Sequence, residues 1–138
     1  MDQLQHISRK GKSYIKQLLQ VAMADGQLDA HELSNLMQVA KRLDITEEEV
    51  IAIKTNIDDI AIKFPKGTKD AFHLIFDLVW MMMVDGNVIP SEKRMCENLA
   101  MQMGFAPETV TDLVGYIRQN VSKGVSAEET YQKLEEML

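Results

Sequence analysis

A ten-residue pattern that occurs twice decides the fold of this chain. It reads MADGQLDAHE at residues 23–32 and MVDGNVIPSE at residues 83–92, and both copies share the form Asp-Gly-x-apolar-x-x-x-Glu. When residues 18–50 are aligned with residues 78–110, an offset of 60, eight pairs are identical and most others keep their apolar or polar character. A repeat of this kind predicts two related units that pack together about a pseudo-twofold axis, because three helices alone bury their apolar faces poorly.

Apolar residues recur at helical spacing along almost the whole chain. The nearest approach to a strand, residues 60–64, continues a helical stripe and has no partner strand. The sequence therefore predicts a single all-α domain over residues 1–138, a helical bundle of two pseudo-symmetric three-helix units, about 12–62 and 68–122, plus a C-terminal helix over about 127–138. The predicted helices are 12–24, 30–43, 47–62, 68–84, 90–103, 107–122 and 127–138.

Local signals define where these helices begin and end. Capping boxes, in which a short polar side chain and a Glu three residues later bind free backbone N–H groups, are predicted at Asp29, Thr46 and Ser126. Pro90 and Pro107 fit the first turn of a helix, where the missing N–H costs nothing. Residues expected to end a helix in the left-handed conformation are Gly11, Gly26, Gly86, Gly104 and Gly124, with Asp44 opposite Gly104 in the repeat.

The composition excludes several classes of protein. The chain has 138 residues, 46% of them hydrophobic and 26% charged, with a net charge of −6 and no basic block, so we expect a folded protein with no nucleic-acid partner. The most apolar stretch, residues 71–84, is shorter than the roughly 20 residues of a bilayer span, which predicts no membrane insertion. Residues 1–11 carry no apolar signal core, and Cys96 is the only cysteine. We therefore predict a cytoplasmic location and no internal disulfide, and the oligomeric state stays open.

The two Asp-Gly loops match the second half of a calcium-binding EF-hand loop, with an acid, Gly, an apolar residue and Glu at its positions 5, 6, 8 and 12. The first half is missing, because positions 1 and 3 are Val21 and Met23 in one loop and Met81 and Met83 in the other. A high-affinity EF-hand is therefore excluded, since calcium takes six to eight oxygen ligands.

Two interpretations of the acidic loop residues remain. They cap turns and helix N-termini, or they bind a divalent cation, calcium or magnesium, weakly, with water completing the coordination. The candidate metal ligands are Asp25, Asp29 and Glu32 in the first loop, and Asp85, Asn87 and Glu92 in the second. The second loop is the poorer candidate, because Ile89 stands where the first has Asp29.

The doubled pattern resembles the TerB-like family, which is named for a tellurite-resistance protein. The resembling residues read VAMADGQLDAHE at 21–32, VAKRLDI at 39–45, and MMVDGNV at 82–88 with Glu92, so the resemblance covers roughly residues 12–122. It implies an all-α fold of two related helical units, in a cytoplasmic bacterial protein linked to stress or tellurite response. It also implies metal binding by acidic residues of the loops, which carries over to Asp25, Glu32, Asp85 and Glu92, and less directly to Asp29.

Methionine is abundant, with 10 residues in the chain. Met fills irregular gaps in cores and also lines adaptable binding surfaces. Three consecutive residues, Met81, Met82 and Met83, point in directions about 100° apart on a helix, and Trp80 precedes them. Two interpretations stay open: burial between the two units, or a surface that binds a protein partner through Trp80, Met81, Met82 and Met83.

The sequence contains no enzyme signature such as a Gly-rich phosphate loop or Gly-x-Ser-x-Gly. His73 and Asp77 share a helix face and could form an acid–base pair, but a buried carboxylate held by a neighbouring donor is the commoner arrangement. Cys96 lies in an apolar stripe and is expected to be inert. We therefore predict a non-enzymatic binding module, with a pure protein-interaction module that has no metal role as the alternative.

Overall fold

Helices make up the regular structure of the part of the chain that the computed structural model describes, which is residues 8–24, 30–83 and 90–137. No strand occurs among those residues, so the prediction of an all-α fold is confirmed. The helices are α1 (Arg9–Ala22), α2 (Ala30–Arg42), α3 (Glu47–Thr55), a short 3-10 helix (Ile57–Asp59), α4 (Thr68–Met82), α5 (Pro90–Gln102), α6 (Pro107–Ser122) and α7 (Ala127–Met137).

The chain divides into two compact units, Met1–Phe64 and Pro65–Leu138. In the first unit, α1 packs against α2 and α3, and α2 packs against α3. In the second unit, α4 packs in the same way against α5 and α6, which also contact each other, and α4 additionally packs against α7. Each unit therefore has the three mutually packed helices that the repeat predicts, whereas the pseudo-twofold axis between the units stays a prediction.

Burial follows the apolar stripes that define the repeat. In α1 the fully buried apolar side chains include Ile15, Leu18 and Leu19, and in α4 they include Leu74 and Leu78. Helix α4 is apolar on nearly all sides because it contacts three helices of its unit, which is typical of a central helix. No helix in the described ranges is both long enough and apolar enough to cross a membrane.

Three helices end in the same hydrogen-bonded motif. The second residue after the helix adopts the left-handed conformation, with φ of 60° at Asp44, 104° at Gly104 and 74° at Gly124. In each motif the next backbone N–H bonds back five residues; Ile45 donates to the carbonyl of Ala40 at 2.8 Å, for example. This is the Schellman geometry, which satisfies carbonyls left over at a helix C-terminus. The predicted correspondence of Asp44 and Gly104 is therefore confirmed.

The backbone conformation at two glycines predicts opposite effects of the same substitution. A Cβ added to Gly104 or Gly115 meets nothing within 4 Å, so only the backbone conformation differs. We expect Gly104→Ala to lower the free energy of unfolding by about 1 kcal/mol because its φ is positive. Gly115→Ala, inside α6, should raise it by up to about 1 kcal/mol. Denaturant unfolding of both variants tests this, and changes of the same sign would contradict it.

The predicted starts of α2 to α7 are confirmed, whereas α1 begins at Arg9 and not at residue 12. Thr46 and Glu49 form the full capping box, with Glu49 N–H donating to Thr46 Oγ1 at 3.2 Å and Thr46 N–H donating to Glu49 Oε1 at 2.8 Å. The hydroxyl of Ser126 accepts from Glu129 N–H at 3.1 Å, and α5 and α6 begin at their prolines. The signals predicted at Gly26, Asp29 and Gly86 lie outside the described residues.

Two predicted boundaries are wrong. A helix does not end at Gly11, because Ser8 caps α1 and accepts from Gly11 N–H in its first turn at 3.0 Å. The third helix does not reach residue 62 but ends at Thr55. The side chains of Thr55 and Asn56 donate to carbonyls of the last turn, at Ile51 and Ala52, and so compete with continuation of the helix.

Candidate functional site

The two glutamates of the repeated pattern occupy the same position in their units. Glu32 is the third residue of α2, and Glu92 is the third residue of α5. Their exposed fractions are only 4% and 1%, although glutamate is rarely buried to this degree. The first turn of a helix favours a negative charge, because backbone N–H groups there point toward it. The repeat therefore encloses one carboxylate in each unit at the end of its Asp-Gly loop.

The other candidate ligands lie outside the described residues. These are Asp25, Asp29, Asp85 and Asn87. Among residues 8–24, 30–83 and 90–137, no group of three or more His, Cys, Asp and Glu side chains is arranged to hold a metal ion. Each loop therefore contributes one described candidate ligand, its glutamate, and the arrangement of the complete ligand set stays a prediction.

The residues that precede the loops explain why neither loop is an EF-hand. Val21 and Met81 stand where such a loop would begin, but both are completely buried and still belong to α1 and α4. Met23 and Met83, at the third position, are half-buried thioethers that follow those helices directly. Hard cations such as calcium prefer oxygen ligands. Any cation would therefore be held by the second half of each loop.

The two described candidate ligands suit the divalent cation that the resemblance implies. Glu32 and Glu92 are carboxylates, the donor type that calcium and magnesium prefer. A carboxylate has two oxygens with about four lone-pair sites, so it can accept a hydrogen bond and bind a cation together. Both glutamates also have an interaction inside the protein. The donor chemistry of these two positions therefore fits a hard divalent ion.

The Met-rich stretch is largely interior. Met81 and Met82 are 0% and 3% exposed, whereas Trp80 and Met83 are half-buried. Two of the four residues predicted to bind a partner are therefore core residues in the described structure. A partner could reach only Trp80 and Met83 without displacing that core, and partner binding itself stays a prediction.

His73 and Asp77, the pair that could form an acid–base site, are partly interior. Asp77 is 2% exposed, and His73, one helical turn before it, is half-buried.

An acid–base site needs a cavity that a substrate can enter. A cavity of about 470 Å³ lies at the start of α4, but neither His73 nor Asp77 lines it. Its lining residues are Pro65, Lys66, Gly67, Thr68, Ala71, Met103, Gly104 and Phe105. The pair therefore has no access to that cavity.

Cys96 is a buried core residue of α5. Burial, with a smaller contribution from the charge of Glu97, raises the pKa of the Cys96 thiol to about 12. The thiolate is the nucleophilic form of cysteine. The thiol therefore stays protonated at neutral pH, as expected of an inert core cysteine.

Sequence reasoning missed a group of buried polar residues on α1. Ser13 and Gln17 are fully buried and Lys16 is 8% exposed, although none was predicted to be functional or interior. Their spacing of i, i+3 and i+4 places them on one helix face. This spacing could have indicated that the three residues are interior, because it places them beside the apolar stripe of α1. Polar residues on an inward face need hydrogen-bond partners elsewhere in the fold.

Comparison with known proteins gives one match. The family model described as "Tellurite resistance protein TerB" matches residues 3–55, within the first unit and including its Asp-Gly loop. No curated protein and no solved structure matches the chain. The match agrees with the all-α structure and with the resemblance carried by residues 21–32. The first unit of the chain is therefore similar to the TerB family over residues 3–55.

Proposed function

We propose that this TerB-like chain is a non-enzymatic, cytoplasmic binding module that holds a divalent cation at each Asp-Gly loop and acts in a stress or tellurite response. The observation that carries the cation proposal is the burial of Glu32 and Glu92 at equivalent positions of the two units. The link to stress rests on the family match alone.

The cost of burying a carboxylate supports a cation at these positions. Removing an ion from water costs several kcal/mol in a protein, after relaxation of its surroundings. The N-terminus of a helix returns only about 0.3 to 1 kcal/mol at an exposed site and up to about 2 kcal/mol when partly buried. Both glutamates have a further interaction inside the protein. A divalent cation adds a larger compensating charge at the same place, and the same arrangement occurs twice.

The proposed ligand sets indicate weak binding. Asp25, Asp29 and Glu32 would hold the cation in the first loop, and Asp85, Asn87 and Glu92 in the second. Three side chains supply fewer than the six to eight oxygens that calcium takes, so backbone carbonyls and water would complete the coordination. We therefore expect dissociation constants of about 0.1 to 1 mM, as in the weaker calcium-binding modules.

Thermal unfolding with and without cation tests the proposal. At 10 mM calcium, a site with a dissociation constant of about 1 mM stabilises the folded state by about 1.4 kcal/mol. That corresponds to a rise in Tm of several degrees for a chain of this size. Glu32→Gln and Glu92→Gln should each reduce the rise, because glutamine can still cap the helix but lacks the charge.

Glu47→Gln is the matched control for these variants. Glu47 lies in the first turn of α3 and is exposed, so its variant should keep the full response to calcium. Parallel titrations with magnesium, manganese and zinc identify the preferred ion. The proposal is wrong if none of the four ions at 10 mM raises Tm or releases or absorbs heat in calorimetry.

A further inference from the structure

The polar face of α1 binds a segment that follows the 3-10 helix. We call this segment, residues 60–63, the strap. Lys16 Nζ donates to the carbonyl of Ile60 at 2.5 Å, and Ser13 bonds to both backbone groups of Lys63. All of these residues belong to the first unit. The strap is thus attached to α1 by side chains from one helix face.

The hydroxyl of Ser13 is the central anchor of the strap. It accepts from Lys63 N–H at 2.7 Å and from Gln17 Nε2 at 3.2 Å, and it donates to the Lys63 carbonyl at 3.1 Å. A hydroxyl offers one donor and two acceptor sites. All three are used, so a Ser13→Ala substitution removes every one of these contacts.

Burial of the strap is uneven. Ile60 is 8% exposed, whereas Ile62 is 39% exposed and Ala61 and Lys63 are also exposed. Ile60 is therefore its one buried apolar side chain. A segment with one apolar anchor and few hydrogen bonds belongs to the part of a structure that opens most easily.

Gln17 lies on the same polar face of α1, and one of its atoms favours opening of the strap. Its Oε1 atom is buried and accepts no hydrogen bond from any residue in the described ranges. Water reaching this face would supply the missing donor, because an unsatisfied buried acceptor gains a hydrogen bond when it is hydrated. Any opening that lets water reach Gln17 is therefore favoured by this atom.

We propose that the strap is a latch, which opens as one segment while the three helices of the first unit stay folded. The strap ends at Lys63, two residues before Pro65, where the second unit begins.

Hydrogen exchange of the full-length protein tests the latch. In the wild type, the Lys63 amide should exchange faster than the amide of Leu18 in the core of α1, and its rate should not change at low denaturant concentrations. Lys16→Met should accelerate exchange at Lys63 about tenfold, although Lys16 bonds to Ile60 and not to Lys63. Such coupling is the mark of a segment that opens as one unit.

Two further variants complete the experiment. Ser13→Ala should accelerate exchange at Lys63 at least as much as Lys16→Met, whereas Ser34→Ala, the same change at an exposed position of α2, should leave it unchanged. An unchanged Lys63 rate in Lys16→Met would overturn the proposal. The proposal would also be overturned if, in the wild type, the Lys63 amide exchanged only when the whole protein unfolds. That measurement needs no variant.

Discussion

Met82→Glu should unfold the second unit or lower its free energy of unfolding by more than about 4 kcal/mol. Met82 is 3% exposed in the central helix α4, and a glutamate there would be a buried charge introduced without a partner. An uncompensated buried charge typically costs about 3 to 5 kcal/mol, to which the lost packing of the Met side chain is added. Denaturant unfolding followed by circular dichroism measures the change.

Met101→Glu is the matched control, because Met101 lies in α5 of the same unit but is 37% exposed. Its variant should stay within about 0.5 kcal/mol of wild type. A Met82→Glu variant as stable as wild type would place Met82 at the surface. That result would favour the alternative in which Trp80 and its neighbours bind a protein partner, and it would contradict the core described above.

Phe72→Ala should lower the free energy of unfolding by about 3 to 5 kcal/mol. Phe72 is completely buried, and the centroid of its ring lies 5.2 Å from that of Tyr131 and 6.5 Å from that of Phe76. The substitution leaves a cavity and removes two aromatic contacts, each worth about 0.5 to 1.5 kcal/mol beyond burial. Thermal and denaturant unfolding both measure the loss.

Phe105→Ala is the control for this substitution. Phe105 is half-buried in the turn between α5 and α6, so the same change should cost clearly less. A loss below about 1 kcal/mol in the Phe72 variant would contradict the complete burial of Phe72 described above.

Much of the fold could be predicted because its signals are local. The turns at Asp44, Gly104 and Gly124 were predictable, since few residues accept the left-handed conformation that ends a helix. The end of α3 was not, because Ile57 and Ile60 continue the helical spacing of apolar residues. That spacing records only that a side chain is buried, and Ile60 is buried in the strap rather than on a helix.

The candidate site was predictable in its residue types but not in its environment. The spacing of Glu32 and Glu92 in the repeat predicted that they are equivalent, and the structure adds that both are buried. Burial depends on packing between helices, which a pattern of acids within one loop does not record. The partners of Ser13 and Lys16 were unpredictable for the same reason, since the strap that they bind lies more than forty residues further along the chain.

We propose that both loops bind a divalent cation and that each buried glutamate is a ligand. Nuclear magnetic resonance of the ¹⁵N-labelled full-length protein, titrated with calcium into the millimolar range, tests it most directly. We predict that the amide signals of Gly26 and Gly86 both move, and that Gly26 saturates at the lower concentration because its loop carries Asp29. Glu32→Gln should stop the movement of Gly26 alone, and Glu92→Gln that of Gly86 alone. Glycine signals that stay in place, or that move equally in a variant carrying both substitutions, would contradict the proposal.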